Sequence, residues 1–229
     1  MKKLNFGIIG CGRIAYKHAE AIVKNEKANL LYVCDIIEER AVDYKNKYDA
    51  VGHFIDYHEM LERPDIDVVN ICTPSGMHAE MGIAAAKAGK HVIVEKPMAL
   101  SLKDADDLIK ACDENGVKLA ACFQNRFNPP VQKLRKALEE GRFGKLTHGS
   151  AVVRWFRPQD YYDQAPWRGT WAMDGGCLMN QSIHNIDLLQ WMMGPVESVF
   201  GYTATNLRKI EAEDVGVAVL KFKSGALGV

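Results

Sequence analysis

From its start the chain alternates short apolar runs with longer stretches in which apolar residues recur every three or four positions. The runs at 4–9, 29–34, 67–72, 91–94 and 118–122 have strand length, and the first four give way directly to glycine or a polar residue. The stretches at 13–23, 37–48, 77–88 and 102–115 have helical spacing. Gly89 closes the third of these helices, Ser101 caps the fourth and Gly116 stops it. Short apolar strands joined by helices of this length predict a parallel sheet with right-handed crossovers, the doubly wound α/β architecture.

The pattern changes after about residue 123. A helix begins at Pro129-Pro130 and runs to about 140, ahead of Gly141 and Gly144. The stretches 147–155, 196–206 and 215–222 read as longer strands, with polar and apolar residues alternating most clearly in the last. One helix at 181–193, ended by Gly194-Pro195, interrupts them. Residues 1–123 therefore form a nucleotide-type α/β domain, and 124–229 an α+β domain with an open, largely antiparallel sheet.

Composition narrows the functional classes. Apolar residues make up 48% of the 229-residue chain and charged residues 25%, an ordinary globular balance. The formal net charge is zero, from 29 basic and 29 acidic residues, which argues against a nucleic-acid or membrane-surface partner. No apolar run approaches the roughly 18 residues of a membrane span. The opening Met-Lys-Lys precedes a short apolar stretch broken by Asn5 and Gly7, which reads as a strand rather than a signal-peptide core. The six cysteines include no Cys-x-x-Cys pair, so neither a zinc ribbon nor a redox dithiol is expected, and a reducing cytoplasm is the expected compartment. His18, His53, His58, His91 and His148 fit no ligand spacing, and no metal is expected.

The first strand leads into Gly10-Cys11-Gly12-Arg13-Ile14-Ala15. This is the G-x-G-x-x-G/A pattern of a Rossmann dinucleotide site. Gly10 permits the tight turn, Gly12 admits a pyrophosphate to the backbone, and Ala15 lets helix and strand pack closely. A glycine-rich turn without a ligand is the alternative, but the motif follows a strand, opens a helix and precedes Asp35 at the end of the second strand. A carboxylate there accepts the ribose hydroxyls and repels a 2′-phosphate. Ile36 and Ile37 offer such a phosphate nothing, and Arg40 reads as a solvated helix residue, so NAD is expected over NADP.

Three further segments carry a resemblance: Thr73-Pro74-Ser75-Gly76-Met77-His78, then Glu95-Lys96-Pro97, then 175–187 with Asn180, Gln181, His184 and Asp187. In these places of a Rossmann domain they resemble the Gfo/Idh/MocA oxidoreductases, over the whole chain. The resemblance implies an NAD-dependent dehydrogenase of sugar hydroxyls, a homo-oligomer formed through the C-terminal sheet, and a cis Lys96–Pro97 bond. It implies cofactor contacts from Gly10, Cys11, Gly12, Arg13, Ile14 and Asp35. Thr73, Pro74, Ser75, His78, Glu95, Lys96 and Gln124 would complete them, with His78 expected to cap its helix. Within the family, Trp167-Arg168-Gly169-Thr170-Trp171 leading to Leu178-Met179-Asn180-Gln181 is similar to bacterial enzymes that oxidise C3 of a UDP-linked N-acetylated uronic acid. Asn180 stands where many relatives, inositol dehydrogenases included, carry Asp, which removes a carboxylate that would orient the nearby His.

The chemistry needs a cation for the developing alkoxide and a base for its proton. Lys96, at the ligand end of the fifth strand, suits the first role and, if desolvated, the second. His184 is the better base, because imidazole titrates near the working pH. Asn180, His184 and Asp187 are spaced to share one helical face, and Asp187 would orient either the helix or the His. Substrate contacts are expected from Arg126, Trp167, Arg168, Asn180 and His184. Arg154, Arg157, Trp155 and Tyr161 form a basic–aromatic segment that is either an anion site or one face of a sheet. Two alternatives stand beside this reading: a family member acting on a free sugar, cyclitol or dihydrodiol, and a non-catalytic NAD-binding regulator. Ser224-Gly225 reads as a hairpin turn opening a returning strand at 226–229. The C-terminal domain is on that reading incomplete, and this chain alone is expected to bind NAD with little turnover.

Overall fold

A computed structural model describes residues 3–229. The chain forms two compact units that divide after Cys122. In the first, β1 (Leu4–Ile9), β2 (Ala28–Cys34), β3 (Gly52–Phe54), β4 (Val68–Ile71), β5 (His91–Val94) and β6 (Leu119–Ala121) make one sheet in the order β3-β2-β1-β4-β5-β6. Every pair is parallel. The order reverses between β1 and β4, the switch point at which open α/β sheets bind ligands beyond their carboxyl ends.

Alternation along the strands divides the core between the two faces. Ile8 and Val33 pack with Ala15, Ala19 and Ile22 of α1 (Ala15–Val23), while Ile9 and Cys34 face the other way. There they meet α3 (Tyr57–Leu61), α4 (His78–Lys87) and α5 (Leu102–Glu114) through Met60, Met81, Ala85 and Leu108. The small residues of α4 allow close helix contact: a Cβ on Gly82 would stand 2.6 Å from Leu108 Cδ1. Ser101 Oγ accepts the Asp104 N–H at 3.1 Å, the N-cap expected for α5. α2 (Glu38–Tyr48) completes the helices of this unit. The short β3 and α3 had no counterpart in the sequence reading, since neither is long enough to display a period.

The second unit holds α6 (Pro129–Glu139), α7 (Gln159–Asp163) and α8 (Ile183–Met193). Its sheet runs β7 (His148–Gly149), β10 (Leu227–Gly228), β9 (Val215–Phe222), β8 (Val196–Ala204). β8, β9 and β10 are antiparallel neighbours, and β7 pairs parallel to β10. Met193, Phe222 and Ala226 centre a small core with Leu146, Leu189 and Leu220.

Two expectations are corrected here. The strand expected at 147–155 is two residues long, because its neighbour β10 pairs over two residues only, and 152–158 continues without regular structure. The helix expected from 181 starts at Ile183 and is preceded by a π-helical turn, Cys177–Ser182. Asn180 therefore lies in that turn, ahead of the regular α-helix that carries His184 and Asp187. Among the described residues no helix is long and apolar enough to cross a membrane.

Candidate active site

At the end of β1, Gly10 has φ +88°, and a Cβ there would stand 2.9 Å from the Cys72 carbonyl carbon, so glycine is required. Gly12 differs: a Cβ would meet nothing within 4 Å. Its backbone faces open space, as an approaching pyrophosphate requires. No side chain caps the start of α1, whose first N–H groups and positive dipole end are available to phosphate. Ala15 is fully buried against the sheet. Asp35 stands beside this turn: Oδ2 accepts the Cys11 N–H at 2.8 Å and Oδ1 the Ile37 N–H at 2.9 Å, with lone pairs left for ribose hydroxyls. Ile36 and Ile37 are exposed, and Arg13 and Ile14 lie exposed ahead of α1. These features fit a dinucleotide. Burial pushes the Cys11 thiol up to about 12, with the Asp35 charge adding to the effect, so this cysteine contributes its backbone rather than a thiolate.

The Lys96–Pro97 peptide bond is cis. Glu95 is buried at the end of β5, and one carboxylate oxygen accepts the Lys96 N–H at 3.2 Å. Ser75 is buried in a one-turn 3-10 helix, Ser75–Met77, that leads into α4. His78 does not cap α4. It is the first helical residue, 1% exposed, with Nε2 2.8 Å from Thr73 O and Nδ1 2.6 Å from Pro97 O. Its ring ties the Thr73-Pro74 turn to the Lys96–Pro97 turn. Burial holds its pKa below the ordinary histidine value despite the two carbonyls.

The second unit contributes its own cluster. Gly169 (φ +70°) and Gly176 (φ +78°) admit no side chain: a Cβ on the latter would stand 2.0 Å from Glu213 Oε2. Glu213 is buried and accepts the Leu178 N–H at 2.9 Å, fixing the start of the π-helical turn. Within the turn, Asn180 donates to buried Asp174, whose other oxygen accepts the Gly169 N–H at 2.7 Å. Asn180 thus recruits a carboxylate of its own, which sequence reading missed. Gln181 donates to Asn180 Oδ1 at 2.8 Å and to Tyr161 Oη at 2.9 Å, and accepts from Arg157 at 2.9 Å. The Arg168 guanidinium stacks 4.3 Å from the Tyr161 ring centroid and 4.7 Å from that of Trp167. Among the described residues, neither Arg157 nor Arg168 has a carboxylate partner. His184, in the first turn of α8, is buried with its ring edge-on to Phe123 at 6.2 Å.

Arg126, an expected substrate contact, forms a two-armed ion pair with Asp187 at 2.8 and 2.5 Å and stacks on Trp191. Asp187 accordingly pairs with Arg126 rather than with His184. Gln124 is exposed in the turn Gln124–Phe127 of the second unit. Sequence reading also missed Asn70 and His18, which join Glu95 in a polar chain. A polar residue inside the apolar strand Val-Val-Asn-Ile was the available signal.

A fold that wraps a dinucleotide turn at a switch point, with a lysine ending β5 and a histidine opening a helix of a second α+β unit, defines an oxidoreductase architecture. The chain belongs to the Gfo/Idh/MocA family. The model for its oxidoreductase NAD-binding Rossmann fold matches residues 4–123, and that for a GFO/IDH/MocA C-terminal domain matches residues 131–229. Its first unit is thus an NAD-binding Rossmann fold. The crystal structure of the WlbA dehydrogenase from Bordetella pertussis in complex with NADH and UDP-GlcNAcA superposes with TM-score 0.96 at 46% identity, over 99% of this chain and 69% of that one. Myo-inositol 2-dehydrogenase of Thermotoga maritima is 35% identical over 99% of this chain and 67% of its own length. The scyllo-inositol 2-dehydrogenase (NAD(+)) of Bacillus subtilis is 30% identical over 96% of this chain and 64% of its own. The chain thus spans about two thirds of the length of these relatives.

Proposed function

We propose that the chain belongs to an NAD-dependent dehydrogenase that oxidises C3 of a UDP-linked N-acetylated uronic acid. The observation that carries the substrate class is the Arg157–Tyr161–Arg168–Gln181 cluster. Two aromatic-stacked guanidiniums without carboxylate partners suit an anionic sugar and have no purpose toward a neutral cyclitol. Similarity to a dehydrogenase solved with NADH and UDP-GlcNAcA supports the same choice.

Held by the dinucleotide turn and Asp35, NAD would supply the hydride acceptor for C3. The protein's residues do the rest. Gly10, Gly12 and the start of α1 seat the phosphates, and Asp35 receives the ribose hydroxyls. Lys96 donates a hydrogen bond to the reacting hydroxyl and stabilises negative charge as it develops. His184 accepts the hydroxyl proton, giving a ketone, NADH and one released proton overall. Asn180 and Gln181, held by Asp174 and Tyr161, orient the sugar, and Trp167 and Arg168 hold its acidic groups.

The protein assembles with copies of itself through the second unit's sheet, where Phe200, Tyr202, Val217 and Val219 form an exposed apolar face on β8 and β9. We place it in the cytoplasm, on the strength of six unpaired cysteines. The inositol relatives keep one second reading open, a cyclitol dehydrogenase. Mixing the protein with NAD at stoichiometric concentration, so that a single turnover registers, separates the two. NADH absorbance should rise with UDP-GlcNAcA and stay flat with myo-inositol; the reverse would overturn the reading.

A further inference from the structure

Within the first unit a polar chain crosses the sheet's ligand end. Asn70, 4% exposed, places its amide nitrogen 2.8 Å from His18 Nδ1. His18 Nε2 lies 2.8 Å from Glu95 Oε1, and the second Glu95 oxygen accepts the Lys96 N–H at 3.2 Å. His18 Nε2–H is donated to the carboxylate. The chain spans α1, β4 and the end of β5, and each of its side chains is fixed by the next.

Glu95 is 8% exposed, and a carboxylate so buried is retained only where it is bonded and paired. Burial pushes its pKa up, but the hydrogen bond and charge of His18, the Lys96 N–H and the Lys96 charge more than offset this and hold it below the ordinary carboxylate value. The attraction acts equally on Lys96. The titratable groups facing Glu95 are His18 from α1, Cys72 after β4, His78 from α4, Lys96 beside it and Cys122 after β6.

We propose that His18 is a positioning residue for Lys96: it fixes Glu95 as an anion, and this anion keeps Lys96 an ammonium, so that Lys96 serves as the cation on the substrate oxygen and not as the base. The proposal rests on the reading of Lys96 given under Proposed function. A metal site is the competing account, since His18, Glu95 and Cys122 offer ligand atoms within 4.8 Å of one another. The geometry opposes it. The 2.8 Å between His18 and Glu95 is a hydrogen-bond distance, whereas two nitrogen or oxygen ligands of a tetrahedral zinc stand roughly 3.3 Å apart. His18 Nδ1 is already engaged by Asn70. Burial, with the Glu95 charge adding, also raises the Cys122 thiol to about 12.

The test is NMR titration of the 229-residue chain, labelled at histidine nitrogens, glutamate carboxyls and lysine side chains. His18→Leu should raise the Glu95 titration midpoint by at least about one unit, a tenfold change in proton affinity. His18→Gln, whose amide can donate from the Nε2 position, should restore most of it. Glu95→Gln should lower the Lys96 midpoint. Circular dichroism and NAD binding identify variants that fold, and the glutamine variant serves if the leucine one does not. An unmoved Glu95 midpoint in His18→Leu, or stoichiometric zinc binding that shifts the His18 resonances, would each overturn the proposal. None of these readouts depends on turnover. A turnover-competent Lys96→Met variant would instead defeat the reading of Lys96 while leaving the anion in place.

Discussion

At the scale of single residues, the two glycines of the dinucleotide turn make opposite demands. Gly12 has room for a Cβ, so Gly12→Ala should leave the melting temperature within about 2 °C of wild type while weakening NAD at least about tenfold, roughly 1.4 kcal/mol. Gly10→Ala places a methyl group against the Cys72 backbone at positive φ and should destabilise the fold by about 2–4 kcal/mol. Calorimetric titration beside thermal melts separates the two effects; equal losses of stability would show that Gly12 does not face a ligand. The same titration should find NAD at least about tenfold tighter than NADP, from Asp35 and the exposed isoleucines that follow it. Lys96→Met should abolish hydride transfer and keep NAD affinity within about twofold; a tenth of the normal rate would show Lys96 to be dispensable. Gly10, Gly12 and Asp35 were legible because a spacing announces them, and Lys96 because Glu95-Lys96-Pro97 after the fifth strand resembles the family's motif. His18, Asn70 and Asp174 were not, because each gains its meaning from a partner distant in sequence that only the fold brings near.

At the scale of elements, His78 joins two turns that carry cofactor-side residues. Its folded pKa lies below the ordinary value, so the unfolded chain binds more protons as pH falls. The stability it contributes is complete above about pH 6.5 and is lost as pH falls through the folded value. His78→Phe keeps an aromatic ring but removes the single N–H that the neutral ring donates to one of the Thr73 and Pro97 carbonyls, and should cost about 1–3 kcal/mol at pH 7.5. It should also flatten the fall in stability between pH 7 and 5, read from urea melts; an unchanged slope would remove His78 from the linkage. The π-helical turn at Cys177–Ser182 shows where pattern reading fails at this scale. Its residues match an α-helical template, and the wider turn is imposed by the Gly176 backbone and by Glu213, which returns from far along the chain to hold Leu178. The long strand expected after residue 147 failed for a related reason: apolar alternation proposes a strand, but only a neighbour of equal length makes one.

At the scale of the whole molecule, the second unit's sheet carries the assembly prediction. Phe200, Tyr202, Val217 and Val219 form one exposed apolar face, so Tyr202→Lys with Val217→Lys should lower the mass measured by light scattering without unfolding the chain. An unchanged mass would place self-association elsewhere. The parallel, doubly wound sheet of the first unit was readable because helices and strands alternate, although β3 and α3 escaped the reading; the short, mixed sheet of the second follows no such rule. The central claim, that this chain serves a dehydrogenase of an anionic UDP-linked sugar, is tested most directly by calorimetric titration of UDP-GlcNAcA into the NADH-saturated protein, with myo-inositol titrated in parallel. The account predicts saturable binding of the UDP-sugar, weakened at least about tenfold in Arg168→Ala, and no saturable heat from myo-inositol. Saturable myo-inositol binding with none for UDP-GlcNAcA would contradict it.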